Sequence, residues 1–209
     1  MNSTVKLRAL ERADRQISIV TFALALAVYL RGVAPDMLGG DPGEFHFAAW
    51  RWGLAHPTGY PLYLLIGGLW QRVLGIFGIS PALALNILSG VVAALAVSLF
   101  YLLMRRWLWE VPVLGRLAAV WAAFFLAVNP TFWSQALLAE VYALHALFVI
   151  SIFWVAQGLA LPDGAIGPAH EAPALRPRSL ALLGLLVGLS LTHHGMTLLL
   201  LPGLLLYLT

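Results

Sequence analysis

The run Tyr60-Pro61-Leu62-Tyr63-Leu64-Leu65-Ile66-Gly67-Gly68-Leu69-Trp70-Gln71-Arg72-Val73-Leu74-Gly75-Ile76-Phe77 decides how this chain is laid out. It is apolar for most of its length. However, Gly67-Gly68 breaks it, Gln71-Arg72 sits near its end, and it starts from the Pro-rich turn His56-Pro57-Thr58-Gly59-Tyr60-Pro61. If the run crosses a bilayer, every later segment changes sides. If it lies along one surface, none does.

The surrounding sequence leaves no doubt about the solvent. Of 209 residues, 61% are hydrophobic and only 10% are charged, with a mean hydropathy of +0.89. Soluble domains carry about 25% charged residues, so the expected class is an all-α integral membrane protein. The net charge of +3 is no nucleic-acid signature, because the basic residues are scattered among apolar runs. The absence of cysteine excludes disulfides, thiolate metal sites and cysteine nucleophiles. Lys6, Arg8, Arg12 and Arg15 precede an apolar stretch from Ile17 to Leu30, in outline like a signal peptide. No convincing small-x-small cleavage site follows, and Arg31 leads straight into a polar loop, so this reads as a retained first membrane helix.

Candidate spans are 16–33, 82–104, 117–130, 137–161, 179–192 and 195–209. Several fall short of the ~20 residues that cover a hydrocarbon core, and the last two are expected to be kinked or partly embedded. The expected architecture is a cytoplasmic N-terminus (1–15) and a polytopic membrane domain (16–209) of about six transmembrane helices. Within it lie a first outer loop with interfacial helices (34–81) and a Pro/Gly-rich cytoplasmic linker (162–178). No internal repeat is visible.

Charge settles the ambiguous run. With 60–77 on the outer interface and the N-terminus inside, the inner segments hold nine of the twelve Lys and Arg. These are Lys6, Arg8, Arg12, Arg15, Arg105, Arg106, Arg116, Arg176 and Arg178, leaving Arg31, Arg51 and Arg72 outside. If 60–77 crosses, seven basic residues fall outside. The first arrangement also gathers Asp41, Glu44, His46, His56, Glu140, His145, His193 and His194 at or near the outer face.

Gly39-Gly40-Asp41-Pro42-Gly43-Glu44 reads as a helix start, with Asp41 as N-cap, Pro42 at N1 and Glu44 at N3 in a capping-box pattern. The aromatic helix that follows, with Phe45, Phe47, Trp50 and Trp52, suits the headgroup level. Glu140 is expected at the outer end of an apolar helix, where an ionisable residue is costly and is by default a functional candidate. Tyr142 and His145, three residues apart, share a face. Thr192-His193-His194-Gly195 marks a turn between two apolar segments. Adjacent histidines lack the i, i+4 spacing of a helical metal pair.

In order along the chain, Gly40-Asp41-Pro42-Gly43-Glu44-Phe45, His56-Pro57-Thr58-Gly59-Tyr60-Pro61-Leu62-Tyr63 and Asn86-Ile87-Leu88-Ser89 resemble blocks of a membrane glycosyltransferase family of the GT-C class. An animal member of that family is a protein O-mannosyltransferase. Phe132-Trp133-Ser134-Gln135, Ala139-Glu140-Val141-Tyr142-Ala143-Leu144 and Gly188-Leu189-Ser190-Leu191-Thr192-His193-His194 are similar to its later blocks. Members of the family are longer, so 209 residues match its N-terminal membrane region, a GT-C-like module.

The resemblance implies transfer of a sugar from a polyprenyl-phosphate donor to a protein or glycan acceptor, on the extracytoplasmic side of a bacterial cytoplasmic membrane. It implies Asp41, Glu44 and Glu140 as the catalytic carboxylates. His56, Tyr60, Tyr142, His145, His193, His194 and Arg51 would contact the donor phosphate or the acceptor. A divalent cation, Mg or Mn, would sit between Asp41 and Glu140. The chemistry is sound: a hydroxyl nucleophile needs a carboxylate to take its proton, and the leaving phosphate needs a cation. The expected partners are the bilayer, the lipid-linked donor, the acceptor and further membrane subunits, with no nucleic acid. Two other classes compete. A non-catalytic membrane subunit or scaffold would use the small-residue helix faces. A transporter would call for an inverted repeat.

Overall fold

The computed structural model describes the backbone of residues 3–160 and 177–208, and the side chains of 12–159 and 177–208. The expected linker at 162–178 lies, but for its last two residues, outside them. Among the described residues the chain is helical, with α1 (Ser3–Gly32), α2 (Asp41–Arg51), α3 (Pro61–Gly75), α4 (Pro81–Trp107), α5 (Pro112–Val128), α6 (Pro130–Leu137) and α7 (Tyr142–Ala160). There follow α8 (Pro177–His193), a 3-10 helix (Gly195–Leu200) and α9 (Leu201–Leu208). Proline punctuates the start of α2 to α6, as Pro42, Pro61, Pro81, Pro112 and Pro130. Its missing N–H costs nothing in a first turn, where that donor has no helical partner.

The hub is α4. Ser80 caps it by accepting from the Leu83 N–H, and its small residues Ala93, Ala94 and Ala96 are fully buried. Such residues let helices approach closely where lipid supplies no hydrophobic drive between them. Helix α1 runs antiparallel to it. The Ser18 and Ser98 hydroxyls are 2.8 Å apart, and Tyr29 packs beside Gly90.

Among the described residues, three helices are long and apolar enough to cross a bilayer: Arg12–Gly32, Pro81–Trp107 and Tyr142–Leu159. A fourth span results if α5 and α6 count as one segment bent by 61°. Of the six expected spans, α8 (17 residues) and Gly195–Leu208 are therefore shorter than a straight crossing requires.

Three local expectations are corrected. The helix expected over 137–161 is interrupted: α6 ends at Leu137, α7 begins at Tyr142, and Glu140 occupies the break between them. Asp41 is the first residue of α2 and does not cap it. The N-cap is Gly40 (φ 77°), which has no side chain to make a cap bond, and Glu44 is engaged with His56. Gly67-Gly68 does not break α3, which runs unbroken from Pro61 to Gly75. A Cβ on Gly68 would lie 2.5 Å from the Ala49 carbonyl oxygen, and one on Gly67 would lie 2.6 Å from Leu85. The pair is the contact where α2 and α4 press on α3.

Helix α3 is antiparallel to the first turns of α4. The Trp70 indole N–H donates to the Ala84 carbonyl, and the Gln71 amide donates to the carbonyls of Pro81 and His46. Its outward residues Leu65, Leu69 and Val73 are exposed, as are Ile76 and Phe77 beyond it.

The acidic end of the bundle

Asp41, Glu44, His56, Tyr60, Glu140, Tyr142, His145, His193 and His194 come together at one end of the bundle. Within α2, Asp41 and Glu44 share a face at i, i+3. Glu44 reaches across the loop that follows: its Oε1 accepts the His56 backbone N–H, and its Oε2 accepts from His56 Nδ1, both at 2.7 Å. That hydrogen bond holds the Glu44 carboxyl below its ordinary range and raises the His56 imidazole, which the charges of Asp41 and Glu140 raise further. His56 is thus the centre of an acidic patch that favours its protonated form. Among the described residues, no Lys or Arg lies within ion-pair distance of Asp41, Glu44 or Glu140.

Beneath the patch lies an aromatic floor. Phe45 meets His56, Tyr60 and Tyr63 at ring-centroid distances of 5.7, 5.4 and 5.4 Å. Tyr60 leads on to His194 at 5.7 Å, which also meets Tyr142 at 5.8 Å and His145 at 4.8 Å. His193 is buried, and its Nε2–H donates to the Val141 carbonyl at 2.9 Å. The histidine pair therefore divides its work: His193 binds the helix break, and His194 stays with the tyrosines.

Glu140 sits half-buried in that break. Burial raises its carboxyl above the ordinary range, and the charge of Asp41 raises it further. The two acids expected to share a site are thus electrostatically coupled. Arg51 does not join them. It is exposed in the last turn of α2, ten residues and roughly 15 Å of helix axis from Asp41. Arg72 is also engaged elsewhere, donating to the Trp50 carbonyl and stacking on Trp52 at 4.2 Å.

The residues that could hold a cation differ from the expected pair. Ligand atoms of Asp41, Glu44 and His56 lie within 4.8 Å of one another. Two carboxylates and an imidazole fit a divalent ion.

Sequence reasoning gave no role to Asn86 and Ser89. Asn86 is fully buried. Its Oδ1 accepts from His46 Nε2 at 2.9 Å and from the Ala139 N–H at 2.8 Å. Its Nδ2 donates to the carbonyls of Ala34 and Asp36 at 2.9 and 3.2 Å. Ser89 Oγ accepts the Glu140 N–H at 3.4 Å. An amide inside the apolar run 82–104 was the available signal, since such a group is costly unless bonded.

Two cavities lie beside these elements. One, of 310 Å³, is lined by Asn129, Thr131, Phe132, Gln135 and Tyr142. The other, of 340 Å³, is apolar and lies between α1, α4 and α5, where Tyr29 and Trp133 line it.

The family described as "Protein O-mannosyl-transferase TMEM260 N-terminal domain" matches residues 41–209. The mouse protein named Protein O-mannosyl-transferase TMEM260 is 37% identical over 133 residues, 63% of this chain and 18% of that protein. A Dictyostelium discoideum protein of the same name is 23% identical over 148 residues, 71% of this chain and 18% of that protein. No solved structure matches the chain. The chain spans about a fifth of the length of these relatives, and the matched region contains Asp41, Glu44, Glu140 and the histidines of the acidic end. The chain therefore belongs to the TMEM260 N-terminal domain family of protein O-mannosyl-transferases.

Proposed function

We propose that this chain is the site-bearing membrane module of a GT-C type glycosyltransferase. It would transfer a sugar, by analogy with its relatives mannose, from a polyprenyl-phosphate donor to an acceptor hydroxyl at its acidic end. The observation that carries this reading is the convergence of Asp41, Glu44, His56 and Glu140, drawn from segments a hundred residues apart. The excess of basic residues at the opposite end supports an extracytoplasmic acidic end and an internal N-terminus.

The roles follow from the bonds already made. Glu44 is committed to His56, and Glu140 has its carboxyl raised by burial. Asp41 is exposed at the start of α2, which makes it the base. As the acceptor hydroxyl gives its proton to Asp41, its oxygen bonds to the anomeric carbon. The bond from that carbon to the phosphate oxygen breaks, and polyprenyl phosphate leaves. His56, whose protonated form Glu44 favours, would face the charge that develops on the phosphate. A divalent ion held by Asp41, Glu44 and a neutral His56 would supply that positive charge in place of the imidazolium. The donor's tail explains why the module is embedded in lipid.

The experiment is a transfer assay on the purified chain in vesicles, with polyprenyl-phosphate mannose and a serine-containing peptide. Asp41→Asn is expected to lower kcat by about 10²–10⁴-fold while leaving thermal unfolding unchanged, since Asp41 makes no cap bond. Transfer within threefold of the unsubstituted chain would remove Asp41 from the role of base.

A further inference from the structure

We infer that Asn86 is the positioning residue that sets the distance between the two acid-bearing segments, with Ser89 as its auxiliary; this rests on the glycosyltransferase reading above. The two residues lie three apart on α4, so both face the same side. A primary amide offers two donor hydrogens and two acceptor lone pairs, and Asn86 uses all four. Its donors hold Ala34 and Asp36, in the loop leading to Asp41. Its acceptor holds Ala139, next to Glu140, and His46 of α2. Ser89 adds the Glu140 N–H itself.

Each of these groups needs such a partner for its own reason. The break between α6 and α7 exposes backbone N–H groups that no helix satisfies. A buried orphan of that kind carries the full desolvation penalty of the group. Asn86 and Ser89 satisfy the N–H groups of Ala139 and Glu140, and Ala34 N–H satisfies the Leu137 carbonyl at 2.8 Å. The side chain that makes the break tolerable is thus the one that fixes the first loop. Asn86 touches no reacting atom in this arrangement and acts through the placement of Asp41 and Glu140.

The test uses the full chain in vesicles with polyprenyl-phosphate mannose. Asn86→Ala is expected to lower kcat per folded molecule by about 100-fold, the scale of a 1 Å misplacement, with the donor KM within threefold. Asn86→Asp keeps the acceptor oxygen but sets a carboxylate against two carbonyls. Its rate relative to the unsubstituted chain should rise as pH falls, because the protonated acid regains one donor. Mere loss of packing gives no such pH dependence. Ser89→Ala should lower kcat by several-fold.

A readout without activity comes from Ala34→Cys with Leu137→Cys, a unique pair in a chain without cysteine. Their backbones are hydrogen-bonded at 2.8 Å, so the crosslinking rate reports how closely the two segments are held. Oxidative crosslinking is expected to slow at least tenfold on adding Asn86→Asp. An unchanged crosslinking rate overturns the inference even if sugar transfer is normal. If the unsubstituted chain transfers no sugar, the glycosyltransferase reading falls and takes the catalytic role of Asn86 with it. Should Asn86→Ala fail to fold, Asn86→Asp and Ser89→Ala decide. Rates within twofold of normal in both overturn the inference.

Discussion

At one end of the bundle a single carboxylate is held by two guanidinium groups and a phenol; at the other, Glu44 bonds an imidazole while Asp41 and Glu140 lie beside it. Asp14 of α1 accepts from Arg116 Nε of α5 at 2.8 Å and from the Tyr101 hydroxyl of α4 at 3.0 Å, and it pairs with Arg105 Nε at 3.3 Å. Nearby, Arg106 donates to the Trp154 carbonyl and stacks on the Trp154 ring at 3.5 Å. These contacts tie α1, α4, α5 and α7 together. At the acidic end, Asp41 is left exposed and Glu140 is strained by burial and by its neighbour's charge. One end spends its polar groups on holding helices, and the other leaves Asp41 exposed and Glu140 half-buried.

This contrast can be broken by experiment. The largest expected effect is at the paired end. Asp14→Ala leaves Arg105 and Arg116 without their shared anion in a mostly buried place, at a cost of about 3 kcal/mol. Thermal unfolding in detergent should fall by several degrees while transfer per folded molecule stays normal. A melting point that does not move would show that the clasp holds nothing.

The next effect is a pH shift. The raised His56 favours folding fully below its ordinary value near 6.5, and this is lost only as pH rises through the raised value. The lowered Glu44 favours folding above its ordinary value near 4.3, and this is lost only as pH falls through the lowered value. The pair is therefore ionised across a widened window. Glu44→Gln should close it from the alkaline side, with the NMR titration midpoint of His56 falling toward 6.5. A midpoint that stays in place would mean that Asp41 and Glu140 hold the proton, which sharpens the picture of a shared acidic field.

The smallest effect is at Arg51. It lies about two Debye lengths from Asp41 at physiological salt, so Arg51→Ala should change transfer by less than about twofold. A tenfold loss would show that the donor phosphate extends along α2, and the acidic end would then no longer work without an arginine.

Much of this was legible in the residues. The shortage of charge demanded lipid, and Pro42 marked the start of α2. The basic residues at 105–116 foretold the end where Asp14 is clasped. These features depend on composition or on a few neighbouring residues, and local chemistry acts before any fold exists. The Glu44–His56 bond, the break that carries Glu140 and the continuity of α3 through Gly67-Gly68 were decided only by tertiary structure. A run of apolar residues around Glu140 reads as one helix, because what ends it is remote: Asn86 and Ser89 lie 53 and 51 residues from the groups they bind, and His193 lies 52 from Val141. Glycine has the same ambiguity, since the missing Cβ that loosens an isolated helix also lets Ala49 and Leu85 approach in a packed one. Sequence determined which groups would be present and roughly at which end. The hydrogen bonds that pay for breaking a helix in an apolar setting form only when distant segments meet, so the site's geometry belongs to the fold.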